Sequence, residues 1–130
     1  AGYVSLDRKH PREALKAIED AAQKIRGGMN IVIFPEGTRS QDGTLLPFKK
    51  GVFSLALRAR VPIAPVGISG SSRLQPKGSF IPKQKGVIYV RIGKPIETEH
   101  ESRSAKTDIM HTVRQAIEGL MAGQGHQNEF

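Results

Sequence analysis

The sequence predicts an α/β fold, a sandwich of a mostly parallel sheet with flanking helices, and three observations carry that prediction. Apolar runs of strand length alternate with stretches of helical periodicity, in the order β-α-β-α-β-loop-β-α. Alternation of this kind brings strands together in parallel through right-handed crossovers. With 130 residues, 38% of them hydrophobic, the chain suits one domain with a real core. No internal repeat or second domain interrupts it: residues 1–122 read as one partial domain and 123–130 as a disordered, Gly-rich polar tail.

Each element has its own signal. Tyr3-Val4-Ser5-Leu6 is strand-like and follows Ala1 almost at once, which reads as a chain continuing from something longer. Over 11–26, Ala14, Leu15, Ala17, Ile18, Ala21, Ala22 and Ile25 recur at helical spacing. Pro11 suits the first helical position and Gly27-Gly28 the stop. Residues 29–34, with the apolar run Ile31-Val32-Ile33-Phe34, read as a buried strand. Gln41-Asp42-Gly43-Thr44 is a turn signal, and Lys50 to Arg60 a short helix with Val52, Phe53, Leu55, Ala56 and Ala59 mostly on one side. Val61 to Ile68 is strand-like, but Pro62 and Pro65 donate no ladder bond, so it is an edge or bent strand. A basic loop rich in Gly, Ser and Pro covers 69–85. Gly86 to Ile92 alternates as a strand, and a last helix spans 104–122 with Ile109, Val113, Ala116, Ile117 and Leu120 as its apolar stripe.

Composition excludes several chemistries. There is no cysteine, hence no disulfide, thiol nucleophile or thiolate metal site. The four histidines show no metal-ligand spacing, and no apolar run approaches the ~18 residues of a membrane span. No Gly-x-Gly-x-x-Gly or Walker pattern is present, and Gly67-Ile68-Ser69-Gly70-Ser71 fails as a nucleophile elbow because Gly is missing at 71. The net charge is +8 and unevenly placed: between Asp42 and Glu97 there is no acid, while ten Lys and Arg fall there. Such a window attracts phosphates, anionic lipid head groups or nucleic acid; an ordinary solvated basic face is the plain alternative.

The densest chemistry lies in Phe34-Pro35-Glu36-Gly37-Thr38-Arg39-Ser40. Pro35 ends the preceding strand and Gly37 allows a tight turn. Glu36, Thr38 and Arg39 are thereby displayed at a strand's carboxyl end, where open α/β sheets hold ligands. An acid, a hydroxyl and a guanidinium this close can grip a small anionic, hydroxylated molecule. Taken singly, each is as readily a surface or turn residue.

This stretch resembles the Phe-Pro-Glu-Gly-Thr-Arg signature of the glycerolipid acyltransferases, the family of 1-acylglycerol-3-phosphate acyltransferase. Three further blocks are similar and in order: Gly2 to Arg8, where Ser5 departs from the family's bulky apolar residue; Leu46-Pro47-Phe48-Lys49-Lys50-Gly51; and Val61-Pro62-Ile63-Ala64-Pro65-Val66. Together the similarity covers roughly residues 1–96.

The resemblance implies acyl transfer from a coenzyme A or acyl-carrier-protein thioester to the free hydroxyl of 1-acylglycerol 3-phosphate. No cofactor or metal is implied. Arg8 and Arg39 become the phosphate clamps, because guanidinium gives paired, charge-assisted bonds to phosphate. Gly37 would let the backbone approach the ligand, and Thr38 would donate a hydroxyl bond. Glu36 would orient Arg39 or another base, or bind a glycerol hydroxyl. Asp7 would position Arg8, and Lys50 would add charge. The family's base is a His in His-x-x-x-x-Asp. Here the fifth residue after His10 is Leu15, after His100 Ala105 and after His111 Ala116, and His126 stands too near the end. The motif is therefore expected upstream of Ala1, and the chain is expected to keep the acceptor-phosphate site without the base. The expected partners are lysophosphatidate, the acyl donor and a membrane surface at its cytoplasmic face, not nucleic acid. The alternative is a non-catalytic basic module that binds phosphate or nucleic acid; few aromatics argue against single-strand stacking.

Overall fold

The computed structural model describes residues 11–75, 78, 85–98 and 105–123. The expected strand at Tyr3–Leu6, Asp7, Arg8, residues 76, 77 and 79–84 of the basic loop and the tail after 123 lie outside the described residues. Helix α1 is Pro11–Arg26, α2 Lys50–Ala59, β1 Val66–Ser69, α3 Ser71–Leu74, β2 Tyr89–Ile92 and α4 Ala105–Met121. No described helix is long and apolar enough to cross a membrane.

The long helices follow their periodicity. α1 carries Glu13 in its first turn and Lys24 and Arg26 in its last, each complementing the helix dipole. It closes with the Gly28 N–H on Ile25 O (2.9 Å) and the Met29 N–H on Lys24 O (3.1 Å), the paired bonds of a Schellman stop. Ala21 and Ala22 lie against Leu55 and Ala59 of α2, with Ile18, Ile25 and Val61 at the margin. Small residues on both helices let them approach closely. α2 ends at Arg60, in the left-handed conformation (φ 53°).

The second core joins α2 to α4: Phe53 packs with Ile109, Val113 and Ile117. Leu45 and Phe48, from the segment before α2, pack onto it, and the Phe48 and Phe53 rings stack 6.1 Å apart. That packing fixes the chain just beyond the Phe34–Ser40 loop.

β1 and β2 pair antiparallel, with Val66 opposite Ile92 and Ser69 opposite Tyr89. The parallel neighbours expected from the element order are not seen among the described residues; the pair described is antiparallel, and α3 is the regular element described in the connection between its strands. Ile63 and Ile96 continue the pairing as an isolated bridge, with mutual bonds of 2.9 and 2.8 Å. Between bridge and ladder, Ala64 and Pro65 face Gly93, Lys94 and Pro95, one extra residue that bends the pair as a bulge does. Of the edge or bent strand expected over Val61 to Ile68, the structure holds β1 from Val66 and the bridge at Ile63. α4 covers one face of this sheet. It sits so close that a Cβ on Gly67 would lie 2.6 Å from Leu120 Cβ. Arg91 reaches from that face to Leu120 O (3.3 Å) at the end of α4.

The expected strand at 29–34 is not a strand among the described residues. Strand geometry needs a ladder partner, and no described strand lies beside it. Val32 is 86% and Phe34 70% exposed.

Candidate functional site

The loop from Phe34 is shaped by its own backbone first. The Gly37 N–H closes a turn on Phe34 O (3.1 Å), with Gly37 at φ 70°, a conformation that a side chain strains. Two further bonds clip this turn to the segment before α2. The Lys49 N–H donates to Pro35 O at 2.7 Å, and the Leu46 N–H to Glu36 Oε2 at 2.7 Å. Glu36 is half-buried, and its carboxylate holds a peptide group; no bond joins it to Arg39 among the described residues. Of the roles expected of Glu36, orienting Arg39 or another base or binding a glycerol hydroxyl, the first has no bond behind it among the described residues. The reason is proximity: the turn brings the carboxylate against the 45–49 segment and leaves Arg39 outside.

Thr38 and Arg39 are exposed and take no hydrogen bond or ion pair from the described residues. Lys49 precedes α2 as its N-cap and Lys50 opens it, both exposed. Lys49 Cε lies 3.4 Å from where a Cβ on Gly37 would stand, so the lysine stem crosses the glycine. Lys49 is the nearer of the two lysines to the turn by this measure; the sequence reading singled out Lys50. The only signal for Lys49 was its place in the Phe48-Lys49-Lys50-Gly51 block.

Acids in the loop are committed elsewhere. Asp42 Oδ1 accepts from Thr44 Oγ1 (2.7 Å), Thr44 N–H (3.0 Å) and Ser40 Oγ (2.9 Å). These bonds, the Thr44 hydroxyl foremost, lower its pKa from 3.8 to about 2. The Ser40 hydroxyl oxygen also accepts from the Gly43 N–H, closing the turn. A cleft of about 580 Å³ opens beside it, bordered by Asp42, Gly43, Ser72, Arg73 and Lys85 among others.

Sequence reasoning missed Arg114. From α4 it donates to Leu46 O (2.9 Å) and Leu45 O (3.0 Å), pairs with Glu118 (2.9 Å), and lies 5.3 Å over the Phe48 ring. The i,i+4 spacing to Glu118 was readable; the reach across 68 residues was not.

The acyltransferase family model matches residues 1–69, more than half of the chain, and so takes in the whole loop. The chain belongs to the acyltransferase family. Among its relatives, a chloroplastic 1-acyl-sn-glycerol-3-phosphate acyltransferase of Brassica napus is 39% identical over 95 residues, 73% of this chain and 28% of that protein. The mouse 1-acyl-sn-glycerol-3-phosphate acyltransferase alpha is 36% identical over 118 residues, 90% of this chain and 41% of its own. The crystal structure of the 1-acyl-sn-glycerophosphate acyltransferase of Thermotoga maritima superposes with a TM-score of 0.71 at 30% identity, over 88% of this chain and 47% of that one. This acyltransferase chain thus spans between about a quarter and a half of the proteins it matches.

Proposed function

We propose that the chain is the acceptor-binding part of a 1-acylglycerol-3-phosphate acyltransferase. The observation that carries this reading is the loop at Phe34–Ser40, in which Glu36 is turned inward while Thr38, Arg39 and Lys49 stay exposed, the two cations without an acid partner among the described residues. A phosphate monoester meets there a guanidinium, an ammonium and a hydroxyl. Arg8, which lies outside the described residues, is the second clamp that the family resemblance implies, and Gly37 keeps the approach open.

In the proposed reaction the acceptor hydroxyl oxygen attacks the thioester carbonyl directly. Its proton passes to the histidine of the family's His-x-x-x-x-Asp motif, which the 130 residues do not contain, the ester forms, the carbon–sulfur bond breaks and the thiolate leaves. General-base assistance of this type contributes typically ~10²–10⁴-fold. Clamping the phosphate holds the hydroxyl in reach of the carbonyl. Coenzyme A and acyl carrier protein are both anionic donors suited to the basic window, whose Arg73 and Lys85 border the cleft beside Asp42. The full-length protein is proposed to work at the cytoplasmic face of a membrane, since acceptor and product are both lipids.

The test is transfer from acyl-coenzyme A and from acyl carrier protein to lysophosphatidate by the full-length protein, with phosphatidate as the product. Turnover with either donor is expected. No turnover with both, together with duplex DNA binding that falls steeply with salt, would favour the nucleic-acid module instead.

A further inference from the structure

We infer that Arg114, on the last helix and outside every motif, is a positioning residue that keeps Glu36 away from Arg39; the inference rests on the acceptor-binding reading above. The carbonyl of Leu45 and the N–H of Leu46 belong to one peptide group. Its oxygen accepts from Arg114 Nη2 at 3.0 Å, and its N–H donates to Glu36 Oε2 at 2.7 Å. The peptide dipole is therefore strung between a guanidinium and a carboxylate, each strengthening the other's bond. Arg114 Nη1 takes the next carbonyl, Leu46 O, at 2.9 Å, so a planar fork spans two successive carbonyls and fixes the direction of the chain. Glu118 on Nε (2.9 Å) and the Phe48 ring (5.3 Å) hold the fork in place.

The consequence concerns charge. Glu36 is three residues from Arg39 and, through the Lys49–Pro35 bond, beside Lys49. Released from Leu46, its carboxylate would compete with the acceptor phosphate for those cations. Arg114 prevents this at a distance, through one peptide group. It touches no substrate.

The experiment measures KM for lysophosphatidate, KM for the acyl donor and kcat in the full-length protein. Arg114→Ala is expected to raise the acceptor KM about tenfold and leave the donor KM within twofold. Arg114→Lys, which keeps the charge without the fork, and Glu118→Gln, which frees one side of it, give smaller shifts of the same sign and guard against a variant that fails to fold. Adding Glu36→Gln to Arg114→Ala restores part of the acceptor KM, because a neutral amide does not compete for Arg39; a merely structural role would produce no such rescue. An unchanged acceptor KM, equal rises in both KM values, or a fall in kcat alone would overturn the inference. If the wild-type protein acylates no lysophosphatidate, the acceptor reading is what fails. The positioning claim is then decided by amide exchange at Leu46, which must quicken in Arg114→Ala and would be unchanged if the claim were wrong.

Discussion

Arg39 and Glu36 stand three residues apart and do different work. The guanidinium is exposed and takes no bond from the described residues, while the carboxylate is spent on the Leu46 peptide. Both were legible as candidates from the Pro-Glu-Gly-Thr-Arg spacing, but their division of labour was not, because it depends on a segment ten residues on. Asp42 is a third kind of residue, an acid consumed by its own turn. Its folded pKa of about 2 lies below the ordinary 3.8, so its contribution is fully present above about pH 3.8 and is lost as pH falls through about 2. A carboxyl-carbon titration followed by NMR should show that midpoint. Thr44→Val removes the bond that lowers it most and should move the midpoint upward; an unmoved midpoint would mean the Thr44 hydroxyl does not hold the carboxylate in solution.

At the scale of elements, the helices were legible and the sheet only partly so. Apolar spacing fixes a helix's buried face in α4, which buries Ile109, Val113, Ile117 and Leu120 of its stripe, whereas α1 buries Ala21 and Ala22 but leaves Leu15, named in the same stripe, 57% exposed. Strand direction has no such signature. Val66–Ser69 and Tyr89–Ile92 would look the same in sequence if they ran parallel, and the pairing is set by where the connecting loop returns. The prolines did announce an interruption, since neither donates to a ladder, and the regular pairing begins only at Val66. Close approach of α4 is the feature that sequence hid most completely. Gly67 looked like a weak strand residue, yet its missing Cβ makes room for Leu120. Gly67→Ala should therefore destabilise the fold by about 1–3 kcal/mol, as overpacking does, read as a lowered denaturation midpoint. An unchanged midpoint would show that α4 shifts at no cost.

For the whole molecule, the uncovered apolar surfaces and the net charge of +8 belong to one account. Val32 and Phe34 are exposed on the chain leading to the site, and Val90 and Ile92 on the outer face of the sheet. Exposed apolar patches of this kind mark surfaces that other chain segments or partners cover. The 130-residue chain by itself is expected to give no detectable acyl transfer to lysophosphatidate under conditions where the full-length protein does; turnover by the short chain would place the base within it. On the proposed reading the Phe34–Ser40 loop holds the acceptor's phosphate. This is tested most directly by the full-length protein's preference for lysophosphatidate over monoacylglycerol, which differ by that phosphate alone, measured as a ratio of kcat/KM in wild type and Arg39→Ala. A charge-assisted bond contributes about 1.5–3 kcal/mol, so the ratio should fall about ten- to a hundredfold. A ratio that Arg39→Ala leaves unchanged would contradict the account.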